Sequence, residues 1–402
     1  MSPLKSPPPD GPVRVLFSLG SLGGGGAERR LVELLQHIDR SRIAPAIYLM
    51  EKRGELLGEV PSDVPISQWN TPGTKPTLPW RALGYFAPET ARAWHLSAHL
   101  RRYPADVVVG WMLQSAYEAL PATRCHQVPL VACTVLNPYA DLATAFGSDL
   151  HESRSKAEKL YQQAATIIAN SADTRRLVLN MYQLPGHRVQ VLPNIRDFAR
   201  IDRLATETIT WPVPAQYQIV CAGRLHPQKG FLSIIAAIHQ LREQGHAEIA
   251  LTILGEGPLR DDLELEIAHT GMQDVVKLLG YVPNPYPYLR QADLFVLPSE
   301  YEGLPNVLIE ALALGTPVIA TDCPTGPREI LEDGRWGKLI PLHASLSDAI
   351  ADTLNDLPAA REQAAKAAPV IRERHDIHTG VRRFEDLLIE TVRQDRQQRG
   401  QP

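Results

Sequence analysis

Residues 293–330, DLFVLPSEYEGLPNVLIEALALGTPVIATDCPTGPREI, decide the fold. DLFVLPS is a short apolar run of buried-strand type. LPNVLIEALALG carries apolar residues at helical spacing and stops at Gly315, and PVIATD is a second buried strand. Strand, helix and strand in that order make one right-handed βαβ crossover, so the sheet is parallel. Ligands of such units sit outside the carboxyl ends of the strands, and this edge carries Ser299, Glu300, Tyr301, Glu302 and Gly303.

Glu302 therefore belongs to a loop that faces the ligand crevice. Pro305 suits the first helical turn, where its missing N–H is not needed, and the N–H groups around Gly303, Leu304 and Asn306 at the helix start can receive an anion. Glu310 lies inside the helix, so the two carboxylates stand up to roughly 12 Å apart with a positive helix end between them. A sugar nucleotide has the matching polarity: hydroxyl-rich sugar, diphosphate, hydroxyl-rich ribose. The segment SEYEGLPNVLIEALALGTPVIATD, with a Glu, seven residues and a second Glu, resembles the retaining family 4 glycosyltransferases of the GT-B fold. The resemblance implies two Rossmann-like doubly wound α/β domains facing across a cleft.

The remaining composition is compatible with that architecture. The chain has 402 residues, 44% hydrophobic and 21% charged, enough for two cores. Its net charge of −4 argues against nucleic acid as a partner, because phosphate-tracking proteins carry a basic excess. Cys125, Cys133, Cys221 and Cys323 are widely spaced in or beside apolar runs, which favours buried free thiols over disulfides or a metal site. Residues 1–11 are Pro-rich and are expected to form a disordered tail. The free thiols lead us to expect a reducing cytoplasmic compartment, and no run of about 18 apolar residues offers a membrane span.

VRVLFSL at 13–19 is a strand, and GSLGGGGAERRLVELLQHI follows it as a glycine loop opening a helix. The spacing does not fit the dinucleotide fingerprint. Gly25 and Gly26, in the Gly-Gly-Ala-Glu-Arg run, are similar to the family's first loop, which faces the donor from the opposite domain. APAIYLM, DVVVGWM, PLVACTV, TIIANS and VQVLPN continue a parallel α/β series. Residues 67–93 have no clean period; Trp69, Trp80, Tyr85 and Phe86 there are read either as an acceptor surface or as packing against the domain's own helices. The helix around Trp94 carries Arg92, Arg101 and Arg102, either as a solvated face or as a peripheral contact with the inner face of an anionic membrane. Many family members have a His just after the strand corresponding to PLVACTV; here the residues are Val135, Leu136, Asn137 and Pro138, and Asn137 becomes the acceptor-side candidate. His126 precedes the strand and is expected at the wrong end.

VLPNIRDF at 191–198 resembles the family's interdomain junction, which divides the chain into 12–195 and 196–376, with a last charged helix at 377–402 expected to cross back to the first domain. QIVCAGR ends in the loop RLHPQKG, where Arg224 and Lys229 can clamp a diphosphate. By resemblance Gly255 and Gly257 let the nucleotide lie close, and the backbone of Tyr281 and Val282 meets its base; for Tyr281, rim packing is an equal alternative. Thr325, Gly326 and Pro327 form either a capping turn or a donor-sugar contact.

The resemblance implies transfer of a hexose or N-acetylhexosamine from a nucleotide diphosphate sugar, UDP favoured, to a hydroxyl of a glycan or lipid-linked acceptor, with retention. Arg224 and Lys229 would stabilise the leaving diphosphate and Glu302 the reacting sugar, with no metal or other cofactor. Two alternatives stay open: a sugar-nucleotide epimerase of the same fold, and a non-catalytic partner protein that binds sugar nucleotides.

Overall fold

The structure, a computed structural model, describes residues 11–23, 25–68, 88–135, 137–147 and 149–400. The candidate residues Trp69, Trp80, Tyr85 and Phe86, and the tail up to residue 10, lie outside the described residues. The chain divides into two units, Met1–Arg196 with Ile377–Pro402, and Asp197–Asp376.

The first unit is built on a parallel sheet of β1 (Val13–Leu19), β2 (Ile43–Leu49), β3 (Ile66–Gln68), β4 (Val107–Gly110), β5 (Leu130–Thr134), β6 (Thr166–Ala169) and β7 (Val189–Val191). The order is β3-β2-β1-β4-β5-β6-β7, so the chain reverses its direction of travel between β1 and β4. The strands are apolar on both faces because both are covered. In β1, Phe17 packs on one side with Leu31, Leu35 and Trp111, and Leu16 on the other with Leu100 and Leu120. The helix Ile377–Gln398 closes the first of these layers. Ile377, Val381, Phe384, Leu388 and Val392 recur every three or four residues and are all buried there. Phe384 stacks 6.1 Å from Phe17 and meets Trp111 edge-on at 6.0 Å. Glu385 accepts from the Asp39 backbone N–H at 2.8 Å and pairs with Arg42, which fixes the helix on the sheet's flank.

The second unit repeats the plan with β8 (Tyr217–Ala222), β9 (Ile249–Leu254), β10 (Val276–Gly280), β11 (Leu294–Leu297), β12 (Val318–Asp322) and β13 (Lys338–Pro341). Their order, β10-β9-β8-β11-β12-β13, is parallel throughout and places the reversal between β8 and β11. Two Rossmann-like doubly wound sheets are thus present, as the sequence implies.

Three expectations need correction. The aperiodic stretch is shorter than 67–93, because Ile66–Gln68 forms an edge strand and a helix already begins at Pro88. Cys125 is exposed near the end of the helix Leu113–His126, while Cys133, Cys221 and Cys323 are buried. Arg92 does not belong to a solvated face: it pairs with the buried Glu118.

Candidate active site

In the second unit the reversal between β8 and β11 opens a crevice at the carboxyl ends of the strands, and the residues singled out by the motif converge there. The loop after β8 runs Gly223, Arg224, Leu225, and turns at Pro227–Lys229. The loop after β11 carries Ser299 to Pro305. Backbone and side chain stitch the two together: the Glu300 N–H donates to the Gln228 carbonyl at 2.8 Å, and Gln228 Nε2 to the Tyr301 carbonyl at 2.8 Å. Gly230 makes this approach feasible. It sits at φ +64°, and a Cβ there would lie 2.0 Å from the Pro298 carbonyl oxygen.

The stitching brings Lys229 Nζ to 2.6 Å from Glu302 Oε1. The same carboxylate oxygen accepts from Ser299 Oγ at 2.7 Å, and Ser299 is wholly buried. Thr325, at φ +65°, donates its hydroxyl to the Glu302 carbonyl, and Thr321 donates to the Ser299 carbonyl at 2.5 Å. Glu302 is thus buried, charge-paired and fixed at both ends of the residue. Arg224, on the same loop as Lys229, is exposed and makes no ion pair among the described residues. Cys323 lies beside this group, and burial, reinforced by the Glu302 charge, pushes its thiol up to about 12, so it stays neutral.

The helix after β11 spans Asn306–Ala313 with Pro305 as its N-cap, one position before the helical turn expected for it. The helix begins directly after Pro305, and Glu310 is buried about one turn in. Gly303 and Leu304 are buried in the approach to this helix, and Asn306 is half-buried. Gly255 and Gly257 follow β9, but the space a Cβ would need at each is filled by the loop after β8, 1.8 Å from the Gly223 carbonyl oxygen and 2.4 Å from that of Leu225. Packing of two loops therefore accounts for both glycines without a nucleotide. Tyr281 projects from the end of β10, half exposed, with Val282 beside it.

In the first unit Gly25 caps the helix Gly26–His37 in extended backbone, and a Cβ on it would meet the Glu28 carboxylate at 2.4 Å. Asn137 caps the helix Pro138–Phe146, its side chain accepting the Tyr139 N–H at 3.0 Å, so one of its polar atoms is committed to the fold. His126 is tied to Ser97 Oγ at 2.7 Å, at the end of its helix and before β5.

Sequence reasoning missed a cavity of about 240 Å³ at the carboxyl ends of β1, β2 and β4, lined by Gly20, Met50, Arg92, Glu118, Asp141 and Thr144 among others. Gln114 Nε2 donates to Glu118 at 3.1 Å. Asp141 is buried, with Thr134 Oγ1 3.4 Å away, and burial pushes its carboxyl up to about 7. The only signal for it in the sequence is its place one turn after Asn137.

A family model described as Glycosyltransferase Family 4 matches residues 24–200, and one described as Glycosyl transferases group 1 matches residues 216–356. The chain belongs to the family 4 glycosyltransferases. The Campylobacter jejuni N-acetylgalactosamine-N,N'-diacetylbacillosaminyl-diphospho-undecaprenol 4-alpha-N-acetylgalactosaminyltransferase is 28% identical over 80% of this chain and 84% of its own length. An uncharacterized glycosyltransferase of Methanocaldococcus jannaschii is 34% identical, over 42% of this chain and 43% of that protein. The crystal structure of Anabaena HepE in complex with UDP and glucose superposes with a TM-score of 0.76 at 21% identity, covering 94% of this family 4 chain and 100% of HepE. That likeness establishes the GT-B fold for both units. Among the described residues of this glycosyltransferase no helix is long and apolar enough to cross a membrane.

Proposed function

We propose that this family 4 enzyme transfers a hexosyl or N-acetylhexosaminyl group from a UDP-sugar to a hydroxyl of a glycan or lipid-linked acceptor, with retention at the anomeric carbon. The observation that carries the reading is the buried Lys229–Glu302 pair at the strand reversal of the second unit, with the exposed Arg224 on the same loop. In the reaction the bond from the anomeric carbon to the diphosphate oxygen breaks, and the acceptor oxygen bonds to that carbon. The acceptor proton passes to a leaving diphosphate oxygen, since no basic side chain stands where the family's His would. Positive charge grows on the sugar ring and negative charge on the diphosphate. Glu302 faces the first; Arg224, Lys229 and the N–H groups of Leu304 and Asn306 face the second, and each such preplaced contact is typically worth a few kcal/mol of barrier. Glu310, about one turn along the helix, is placed for ribose hydroxyls, and the backbone of Tyr281 and Val282 for the base.

The cavity of the first unit is read as the acceptor site: the Glu118 carboxylate accepts from sugar hydroxyls, the Asp141 carboxyl exchanges hydrogen bonds with them, and Arg92 donates to them. The diphospho-undecaprenol in the name of the Campylobacter relative favours a lipid-linked acceptor and a place at the cytoplasmic membrane face. The test is calorimetric titration with UDP and GDP, followed by incubation with UDP-hexoses and UDP-N-acetylhexosamines, with and without a polyprenyl-diphosphate sugar. Binding of UDP and sugar transfer to the acceptor are expected. Isomerisation of the donor without an acceptor would make the protein an epimerase, and donor binding with no turnover on any acceptor would make it a binding partner.

A further inference from the structure

The cation assigned to the diphosphate is, in the free protein, already spent on the carboxylate assigned to the sugar. Lys229 Nζ stands 2.6 Å from Glu302 Oε1, and both side chains are largely withdrawn from water. The backbone and side-chain stitches through Gln228 tie the two loops together, so a change of partner falls to the lysine side chain. An ammonium has three protons and can serve a carboxylate and a phosphate together, but a diphosphate brought to Arg224 and Lys229 places further negative charge beside Glu302. With an intact donor the sugar hydroxyls donate to Glu302 and replace what the lysine withdraws. With the nucleoside diphosphate alone nothing replaces it.

We propose that Lys229 is a shared cation that Glu302 reclaims from the nucleoside diphosphate product, so that the site is biased against the spent donor and releases it. The inference rests on the donor-site reading above. Glu302 then has two roles: it steadies the sugar during transfer, and it competes for the diphosphate's counter-charge afterwards. Ser299, which donates to the same oxygen at 2.7 Å, keeps the carboxylate in place while the lysine is away.

The experiment is calorimetric titration of UDP into the full-length protein and its Glu302→Gln variant, with the fold checked by circular dichroism. Glu302→Gln removes the competing charge at constant shape, so UDP should bind roughly threefold to tenfold more tightly, although the variant turns over poorly. Unchanged or weaker UDP binding by the folded variant overturns the proposal while leaving the donor-site reading standing. If the variant does not fold, Glu302→Asp draws the charge back by one methylene and must also tighten UDP; no change there overturns it equally. Should the parent protein bind neither UDP nor GDP, the donor-site reading itself fails and takes the proposal with it.

Discussion

Ser299 and Asp141 show what a single residue contributes here. Ser299→Ala removes a donor to a buried carboxylate, a bond typically worth about 1.5–3 kcal/mol. Turnover at saturating donor should fall roughly tenfold or more, while the KM for the donor moves little, because Glu302 keeps its charge but loses its aim. Single-turnover rates against donor concentration measure both. Asp141 makes a pH prediction. Folded, it holds its proton up to about pH 7; unfolded, it releases it near 3.8. The unfolded chain binds fewer protons between those values, so stability falls as pH rises through them, by at most about 4 kcal/mol, and stays low above pH 7. Tyr161 and Tyr182, which face it, are pushed further up by burial and do not titrate in that window. Asp141→Asn should therefore melt higher than the parent at pH 8 and alike near pH 4, while losing acceptor turnover. Glu302 and Lys229 were legible because their motifs fix their loops. Ser299's bond and Asp141's burial were not, since a loop contact and a cavity leave no period in a sequence.

Elements were legible in proportion to how thoroughly they are buried. β1, β8, β11 and β12 are mostly apolar and largely buried, and appear where the residues place them. β3 has three half-buried residues and β13 four mixed ones, too few for either pattern to register. The glycines show the opposite limit. A nucleotide and a neighbouring loop both exclude a Cβ, so Gly255 reads alike for either cause, and only the 1.8 Å clash with the Gly223 carbonyl separates them. The turn before the helix Phe231–Glu243 is the element on which the donor site depends. Gly230→Ala would combine a left-handed backbone with a Cβ driven into the Pro298 carbonyl. It should destabilise the second unit by about 1–3 kcal/mol or more and weaken UDP binding with it. Urea unfolding followed through that unit, with a UDP titration of the surviving fold, measures the two effects separately.

At the scale of the molecule, the chain leaves the first unit after Arg196 and re-enters it at Ile377. Gly380 packs so closely on Ile195 that a Cβ would stand 2.0 Å from its Cγ2, so departure and return lie side by side. The returning helix is part of the first core. Phe384→Ala should cost that unit about 3–5 kcal/mol, read as an early thermal transition with the second unit's transition unmoved. A ribosome meets the same arrangement as a problem of timing. Domains are generally completed from the N-terminus as the chain emerges. Here the sheet made first must wait, one flank uncovered, through the synthesis of everything up to Asp376, while the later-made unit already has all of its strands. Nascent chains arrested before residue 377 should thus hold a protease-resistant second unit behind a sensitive first one, reversing the usual order of maturation.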